Sequence, residues 1–444
     1  MKKSLSLESN DRRIRLGSIL LSWVIIWFAA FSLPKSFFDT PLSHYRVNAN
    51  WEDEIMYVHS AKSFKKYGLK TGYFGVNEKT APLAISHFGV HGPFFPIVMG
   101  ATSKIFSPRD SEIHAPILNL VWLSLGILVF LCLAQLNLGK SLLFAALLLT
   151  YWPIHLFVAS GGQEPWHLSL GFALAGLLVW LWREEQQKLP KTLFVITLIF
   201  LFSLTRVSWA LLLLVPICLT KNTKIFSLKF VFGVLISAAL ILVSIFISRT
   251  VSAPFPKEVT GFQFFKLLYG EQSILVFLGT FFQNLKSFLN PIPAMHSFFE
   301  MLQLMYRLQV VGLITFGAIV AFRSSKRGQA KEPGPPRDFI FHFYNLGSIL
   351  FFLLLTYFVG YLQDYRVLSG ALVLSICVLL ARPGRIGVWV LGSIVLLNLA
   401  CTPFFLTSYR LIRTQNFKYN SDALETFTQE IEKKMAYSGS QNPW

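Results

Sequence analysis

Charge is scarce in this chain. Only 14% of its 444 residues are Asp, Glu, Lys or Arg, while 54% are hydrophobic. Soluble domains carry about 25% charged residues. Acid is scarcer still, with 22 Asp and Glu against 40 Lys and Arg, a formal net charge of +18. Mean hydropathy is +0.54. A soluble fold of this length has too little interior for so much apolar surface. A cytosolic enzyme, a disordered chain and a disulfide-rich secreted domain are therefore excluded. Cysteine is also rare: Cys132, Cys218, Cys377 and Cys401 lie in or beside apolar runs, with no CxxC spacing. They read as buried thiols, not as disulfides or zinc ligands. There is no GxxxxGK[ST] loop and no GxGxxG following a strand, so no nucleotide site is supported. No internal repeat of fixed period is present.

What is present is a succession of long apolar runs, the pattern of a multi-spanning membrane protein. The first follows a basic N-terminus (Lys2, Lys3, Arg12, Arg13, Arg15) and extends from Leu16 to Leu33, too long and without the small-residue site of a cleaved signal peptide. Further spans are expected at about 115–136, 141–158, 165–182, 191–204, 206–220, 225–247, 302–322, 339–360, 367–381 and 386–405. The connections Asn137–Lys140, Arg183–Lys191, Lys221–Lys224, Arg323–Arg337 and Arg382–Arg385 each carry Lys or Arg and fall on one side, which becomes the cytoplasmic side by the positive-inside rule. The basic excess thus reads as loop charge facing anionic headgroups, with no nucleic-acid partner. Pro93–Phe106 is apolar but short for a span, and counting it as one would invert every later loop.

The expected fold is all-α, a polytopic membrane protein of about eleven transmembrane helices with external juxtamembrane helices. Residues 1–15 form a cytoplasmic basic N-terminus and 16–405 the transmembrane domain, with external loops 34–112 and 249–297. Residues 406–444 are expected as an external C-terminal tail.

Charged groups beside a membrane cost free energy and call for a reason. Trp51-Glu52-Asp53-Glu54 precedes an amphipathic stretch with Tyr57 and Ala61 at helical spacing. It reads either as an acidic helix start favoured by the dipole or as a general base at the membrane face. His87 and His91 flank Gly89 beside Gly92-Pro93-Phe94-Phe95-Pro96, a turn into an aromatic helix. The histidines are either solvated or metal ligands. Gly161-Gly162-Gln163-Glu164-Pro165-Trp166 places an acid before a proline at an external helix start, as a cap or as a partner carboxylate for Asp53. Thr205-Arg206-Val207-Ser208-Trp209 and Asp364-Tyr365-Arg366 place arginines at the same face, to snorkel or to grip phosphate.

These clusters, in this order, resemble the GT-C superfamily of membrane glycosyltransferases. The likeness is nearest to the branch of dolichyl-phosphate-mannose protein mannosyltransferases and lipid A aminoarabinose transferases. Asp53, Glu54, Tyr57 and Ala61 match that family's DExxYxxxA pattern. His91 to Pro96 matches HPPLYP with Gly92 in place of the first Pro, and Glu164-Pro165 matches its acid-Pro pair. Thr205-Arg206 matches a Thr-Arg-Pro break with Val207 for Pro, and Tyr365-Arg366 reverses the family's Arg-Tyr. The resemblance implies an inverting transfer of sugar from a polyprenyl-phosphate donor to a lipid, glycan or protein acceptor among membrane lipids. Asp53 would be the general base, with Glu54 beside it in the catalytic pair. Glu54, Glu164 and His91 would shape the acceptor site or hold a divalent cation, Mg or Mn. Arg206, Arg366 and Tyr365 would bind the donor phosphate. A bacterial inner membrane with the site facing the periplasm is the expected location. The competing expectations are a transporter of lipid-linked sugar, a polysaccharide polymerase or ligase, and a non-catalytic membrane subunit.

Overall fold

The computed structural model describes residues 2–45, 52–69, 73–75, 84–86, 92–106, 113–183, 189–218, 228–250, 270, 273–289, 304–305, 307–313, 315, 319, 368–381, 384–418 and 433. Among these the chain is helical, apart from a short antiparallel pair, Tyr73–Gly75 with Ala84–Ser86. Helix α1 is Lys2–Phe38, α2 Glu52–Tyr67, α3 Phe94–Phe106, α4 Ala115–Ala134, α5 Leu138–Thr150 and α6 Trp152–Val158. Then come α7 Glu164–Arg183, α8 Leu189–Thr205, a 3-10 turn Val207–Leu213, α9 Leu214–Cys218 and α10 Leu228–Thr250. Helices α11 Ile274–Leu289, α12 Ser369–Ala381 and α13 Gly384–Lys418 follow, and residues 307–313 are helical as well.

Five of these helices contain stretches long and apolar enough to cross a membrane: Arg12–Phe38, Ala115–Ala134, Glu164–Arg183, Leu228–Ile247 and Gly387–Leu411. The pair α5 and α6, bent by 52° at its break, would make a sixth. The expected spans 191–204, 206–220 and 367–381 correspond to shorter apolar helices, Leu189–Thr205, Val207–Cys218 and Ser369–Ala381. The expected span 339–360 and about half of 302–322 lie outside the described residues. Phe94–Phe106 is a 13-residue helix, short for a span as its sequence implied.

The centre of the molecule is a trio of parallel helices. Gly126 of α4 lies against the Ser169 carbonyl of α7 so closely that a side chain there would collide with it. Farther along, Gly176 of α7 faces the backbone of Phe130. Residue number rises along both helices together, so α4 and α7 run parallel, and the α5–α6 segment must be the return between them. On the other flank of α7, Gly171 packs on the Gly370 carbonyl of α12, and Gly370 in turn on the His167 carbonyl. Small residues allow this backbone approach, the usual means of tight helix association where lipid supplies no hydrophobic drive.

Basic side chains close one end of the trio. Arg183 donates to the Leu133 carbonyl at 3.0 Å and also to the Ala134 carbonyl, the last of α4. Lys140 donates to the Ala381 carbonyl at 2.8 Å, at the C-terminus of α12. Each cation meets the negative end of a helix dipole and satisfies carbonyls that no further turn will bond. The N-termini of α4, α7 and α12 consequently gather at the opposite end.

The break between α5 and α6 has a local cause. Pro153 has no N–H for the Leu149 carbonyl, four residues back. The His155 ring replaces it: Nε2 donates to the Leu148 and Leu149 carbonyls at 2.9 and 3.1 Å. This buried histidine repairs a helix. Helices α1 and α13 flank the trio. Trp23 and Trp27 donate to the Ser124 carbonyl and hydroxyl at 3.1 and 2.9 Å, and Trp152 to the Thr402 hydroxyl at 2.9 Å. Helix α13 also runs on past residue 405, where the apolar run thins, to Lys418. The tail expected from 406 thus begins as helix.

Candidate functional site

Helix α2 buries Glu54, Tyr57, Val58, Ala61 and Lys65 along one stripe and leaves Asp53 half-buried beside it. Consecutive helical residues project about 100° apart, so a paired Asp-Glu cannot send both carboxylates the same way. Glu54 points inward. Its Oε1 accepts from Arg413 Nη1 of α13 at 3.1 Å, with both side chains only 2% exposed. Its Oε2 accepts from the Tyr45 hydroxyl at 3.0 Å and the Gly161 N–H at 3.1 Å. Arg413 Nη2 donates to the Leu156 carbonyl at 3.1 Å. A buried carboxylate survives only when paired and hydrogen-bonded in this way.

The Gly161 contact brings the second acidic motif to the first. Its loop is held from three directions. Asn119 donates to the Val158 and Ser160 carbonyls at 2.9 and 2.7 Å. The Gly162 N–H donates to the Ser160 hydroxyl at 3.3 Å. A side chain at Gly161 would meet Val58 at 2.9 Å, and one at Gly162 would strike the Glu164 carboxylate. Glu164, buried at the first turn of α7 with Pro165 behind it, therefore faces the loop that bonds Glu54.

An aromatic series links the remaining motifs. Tyr57 meets Phe95 edge-on at 5.1 Å, Phe95 meets Trp122 at 6.1 Å, and Trp122 meets Trp166 at 5.2 Å. Trp166 donates to the Thr205 hydroxyl at 3.3 Å, which donates to the Phe202 carbonyl at 2.7 Å as α8 ends. Arg206 follows in extended conformation, φ −154° and ψ 115°, half-exposed at the head of the 3-10 turn. From there Trp209 Nε1 donates to His167 Nδ1 at 3.0 Å, and His167 Nε2 bonds Gln163 Oε1 at 3.2 Å. The Arg206 guanidinium lies within electrostatic reach of that ring. Gly92, where the family pattern has Pro, adopts φ +92°. Proline is locked near −65°, so the departure from the pattern follows from the backbone at the entry to α3.

Of the candidate residues, Glu54 is bonded into this network, Glu164 and Arg206 border it, and Asp53 lies half-buried beside Glu54 on α2, all at the end of the trio away from Lys140 and Arg183. His91, Tyr365 and Arg366 lie outside the described residues. Among the described residues no three His, Cys, Asp or Glu side chains converge as metal donors. Sequence reasoning missed Tyr45, Arg413, His167 and Gln163 as members of the network. For Arg413 a signal existed: Phe405, Tyr409, Arg413 and Phe417 recur every fourth residue and are all buried. Phe417 stacks on Phe38 at 5.3 Å and meets Tyr45 edge-on at 5.9 Å, seating the end of α13 against the first loop.

Compared with protein-family models, curated proteins and solved structures, the chain matches none.

Proposed function

We propose that this chain is an integral membrane glycosyltransferase of GT-C type. It moves a sugar from a polyprenyl-phosphate donor to an acceptor hydroxyl or amine at the membrane face, with inversion. The observation that carries this reading is the convergence of widely separated motifs. Glu54 of α2, the Gly161-Gly162-Gln163-Glu164 loop and the Thr205-Arg206 break are linked into one network at the end of the trio where helix N-termini gather, with Asp53 beside Glu54 at its margin. Positive dipole ends and an arginine suit a phosphate, and a half-buried carboxylate suits a base.

In this reading Asp53 takes the proton from the acceptor as its oxygen or nitrogen attacks the anomeric carbon. The bond from that carbon to the phosphate oxygen breaks on the opposite face, and polyprenyl phosphate leaves with the bonding electrons. Arg206, with Arg366 and Tyr365, stabilises the charge that collects on the phosphate. Glu164 shapes the acceptor side. Glu54 acts as a positioning residue, because both its oxygens are bonded within the protein. No step is routed through a divalent cation, since the described donors do not converge on one. The proposed frame is about eleven spans in a bacterial inner membrane, with the network facing the periplasm.

The 52° break between α5 and α6 favours a second reading, a transporter of lipid-linked sugar, because broken spans line substrate paths. One experiment separates the two. Membranes bearing wild type or Asp53→Asn are given a panel of radiolabelled polyprenyl-phosphate sugars. Label moved to endogenous acceptors by wild type and lost in the variant supports the transferase. Donor crossing the bilayer with no transfer supports the transporter and refutes the transferase.

A further inference from the structure

The Trp209–His167–Gln163 series has a chemical direction that fixes what Gln163 can offer. An indole N–H only donates. His167 Nδ1, 3.0 Å from Trp209 Nε1, must therefore be the unprotonated acceptor. A neutral imidazole without a proton on Nδ1 carries it on Nε2. His167 Nε2 then donates across 3.2 Å, so the Gln163 atom facing it must be the amide oxygen. The amide cannot turn over without setting donor against donor. Its nitrogen, on a side chain only 7% exposed, makes no hydrogen bond among the described residues. Gly370 packs against the Trp209 ring and the His167 carbonyl, which limits the room the indole has to swing.

We infer that Gln163 is a ligand-reading residue: its locked amide presents an N–H donor pair to an acceptor oxygen of the bound lipid-linked sugar, a hydroxyl or a phosphate oxygen. His167 and Trp209 are its positioning residues. The inference rests on the proposed donor class and adds one restriction to it. The ligand atom opposite Gln163 is an oxygen with a free lone pair, and a protonated amine is refused there. The position suits the task. Gln163 stands between Gly162, against the Glu164 carboxylate, and Glu164 itself, while its histidine partner lies in the field of Arg206.

The test uses full-length protein in detergent, with undecaprenyl phosphate and undecaprenyl-phosphate hexose as probes and affinity read by native mass spectrometry. Gln163→Leu is expected to bind about three- to tenfold more weakly, the value of one neutral hydrogen bond. Gln163→Glu should bind more weakly still, because it sets an anion against the same oxygen. Trp209→Phe keeps an aromatic ring but frees the histidine tautomer, and the folded variant should lose part of the same affinity. Loss seen already with the bare phosphate assigns the contact to a phosphate oxygen. Loss seen only with the hexose assigns it to a sugar hydroxyl. Folded Gln163→Leu binding both probes as wild type does would overturn the inference, as would wild type binding neither. The transfer assay answers separately. Binding that depends on Gln163 in a protein that transfers nothing removes the transferase and keeps the contact. Transfer lost in Asp53→Asn with binding indifferent to Gln163 does the reverse.

Discussion

Removing Arg413 tests the network at its most buried point. The guanidinium and the Glu54 carboxylate are each 2% exposed and 3.1 Å apart, and Arg413 also serves the Leu156 carbonyl. Deleting one member of a buried pair costs about 3–5 kcal/mol, mostly because the surviving charge is stranded. Here Oε2 keeps the Tyr45 hydroxyl and the Gly161 N–H. Arg413→Met, which retains much of the stem's packing, should therefore fall near the lower bound, about 3 kcal/mol. At roughly 2 °C per kcal/mol for a large chain, that is a fall of about 6 °C in the melting of detergent-purified protein.

The second arm removes the stranded charge. Glu54→Gln with Arg413→Met leaves an amide that can still accept from Tyr45 and Gly161. The double variant should melt above Arg413→Met alone, since a buried pair replaced as a unit is often close to neutral. Two results would refute the argument: Arg413→Met melting like wild type, or a double variant no more stable than Arg413→Met.

Asp53→Asn should abolish transfer while leaving the melting temperature unchanged, and Glu54→Gln should lower melting first. Identical behaviour of the two, measured by paired melting and transfer assays, would void the division of roles between base and anchor. Gly92→Pro would restore the family pattern on paper, yet φ +92° forbids it, so lower expression and melting are expected. Gly100→Val in α3 would set its Cβ 2.7 Å from the Ala61 carbonyl and 2.8 Å from the Phe64 ring. Overpacking of this kind costs about 1–3 kcal/mol, and melting of the purified variant measures it. His155→Phe should destabilise by stranding the Leu148 and Leu149 carbonyls, with donor binding by the surviving folded protein unchanged.

Hydropathy made the long apolar helices legible. The expected 115–136 and 165–182 became Ala115–Ala134 and Glu164–Arg183, and Thr205-Arg206 was already visible as an interruption. The break within 141–158 had its cause printed in the sequence as Pro153. An averaging reader passes over such a residue because its neighbours are apolar. Beyond residue 405 the opposite error operates. Arginines lower local hydropathy and suggest a solvated tail, although Arg413 is buried. Its charge is answered 359 positions away in sequence, and no local pattern reports such a partner.

The acidic pair shows why motif and mechanism are different kinds of statement. Asp53 and Glu54 are adjacent letters in one pattern, but a helix turns adjacent residues to different environments. Tyr57 and Ala61, the pattern's remaining letters, lie on the buried side with Glu54: Tyr57 meets Phe95, and the Ala61 carbonyl faces Gly100. Three of the four positions in DExxYxxxA therefore describe how α2 is seated against α3, the Gly161 loop and α13. Only Asp53 stands at the margin of that packing. If the transferase reading is right, the pattern mainly specifies the rigid mounting of one carboxylate. Its most sensitive element would then be Arg413, outside the pattern, since releasing Glu54 lets the mounted helix shift. Arg413→Lys, with charge kept but the two-pronged grip lost, should lower kcat more than it lowers donor affinity. Equal losses in both would place Arg413 in ligand binding and contradict the mounting argument.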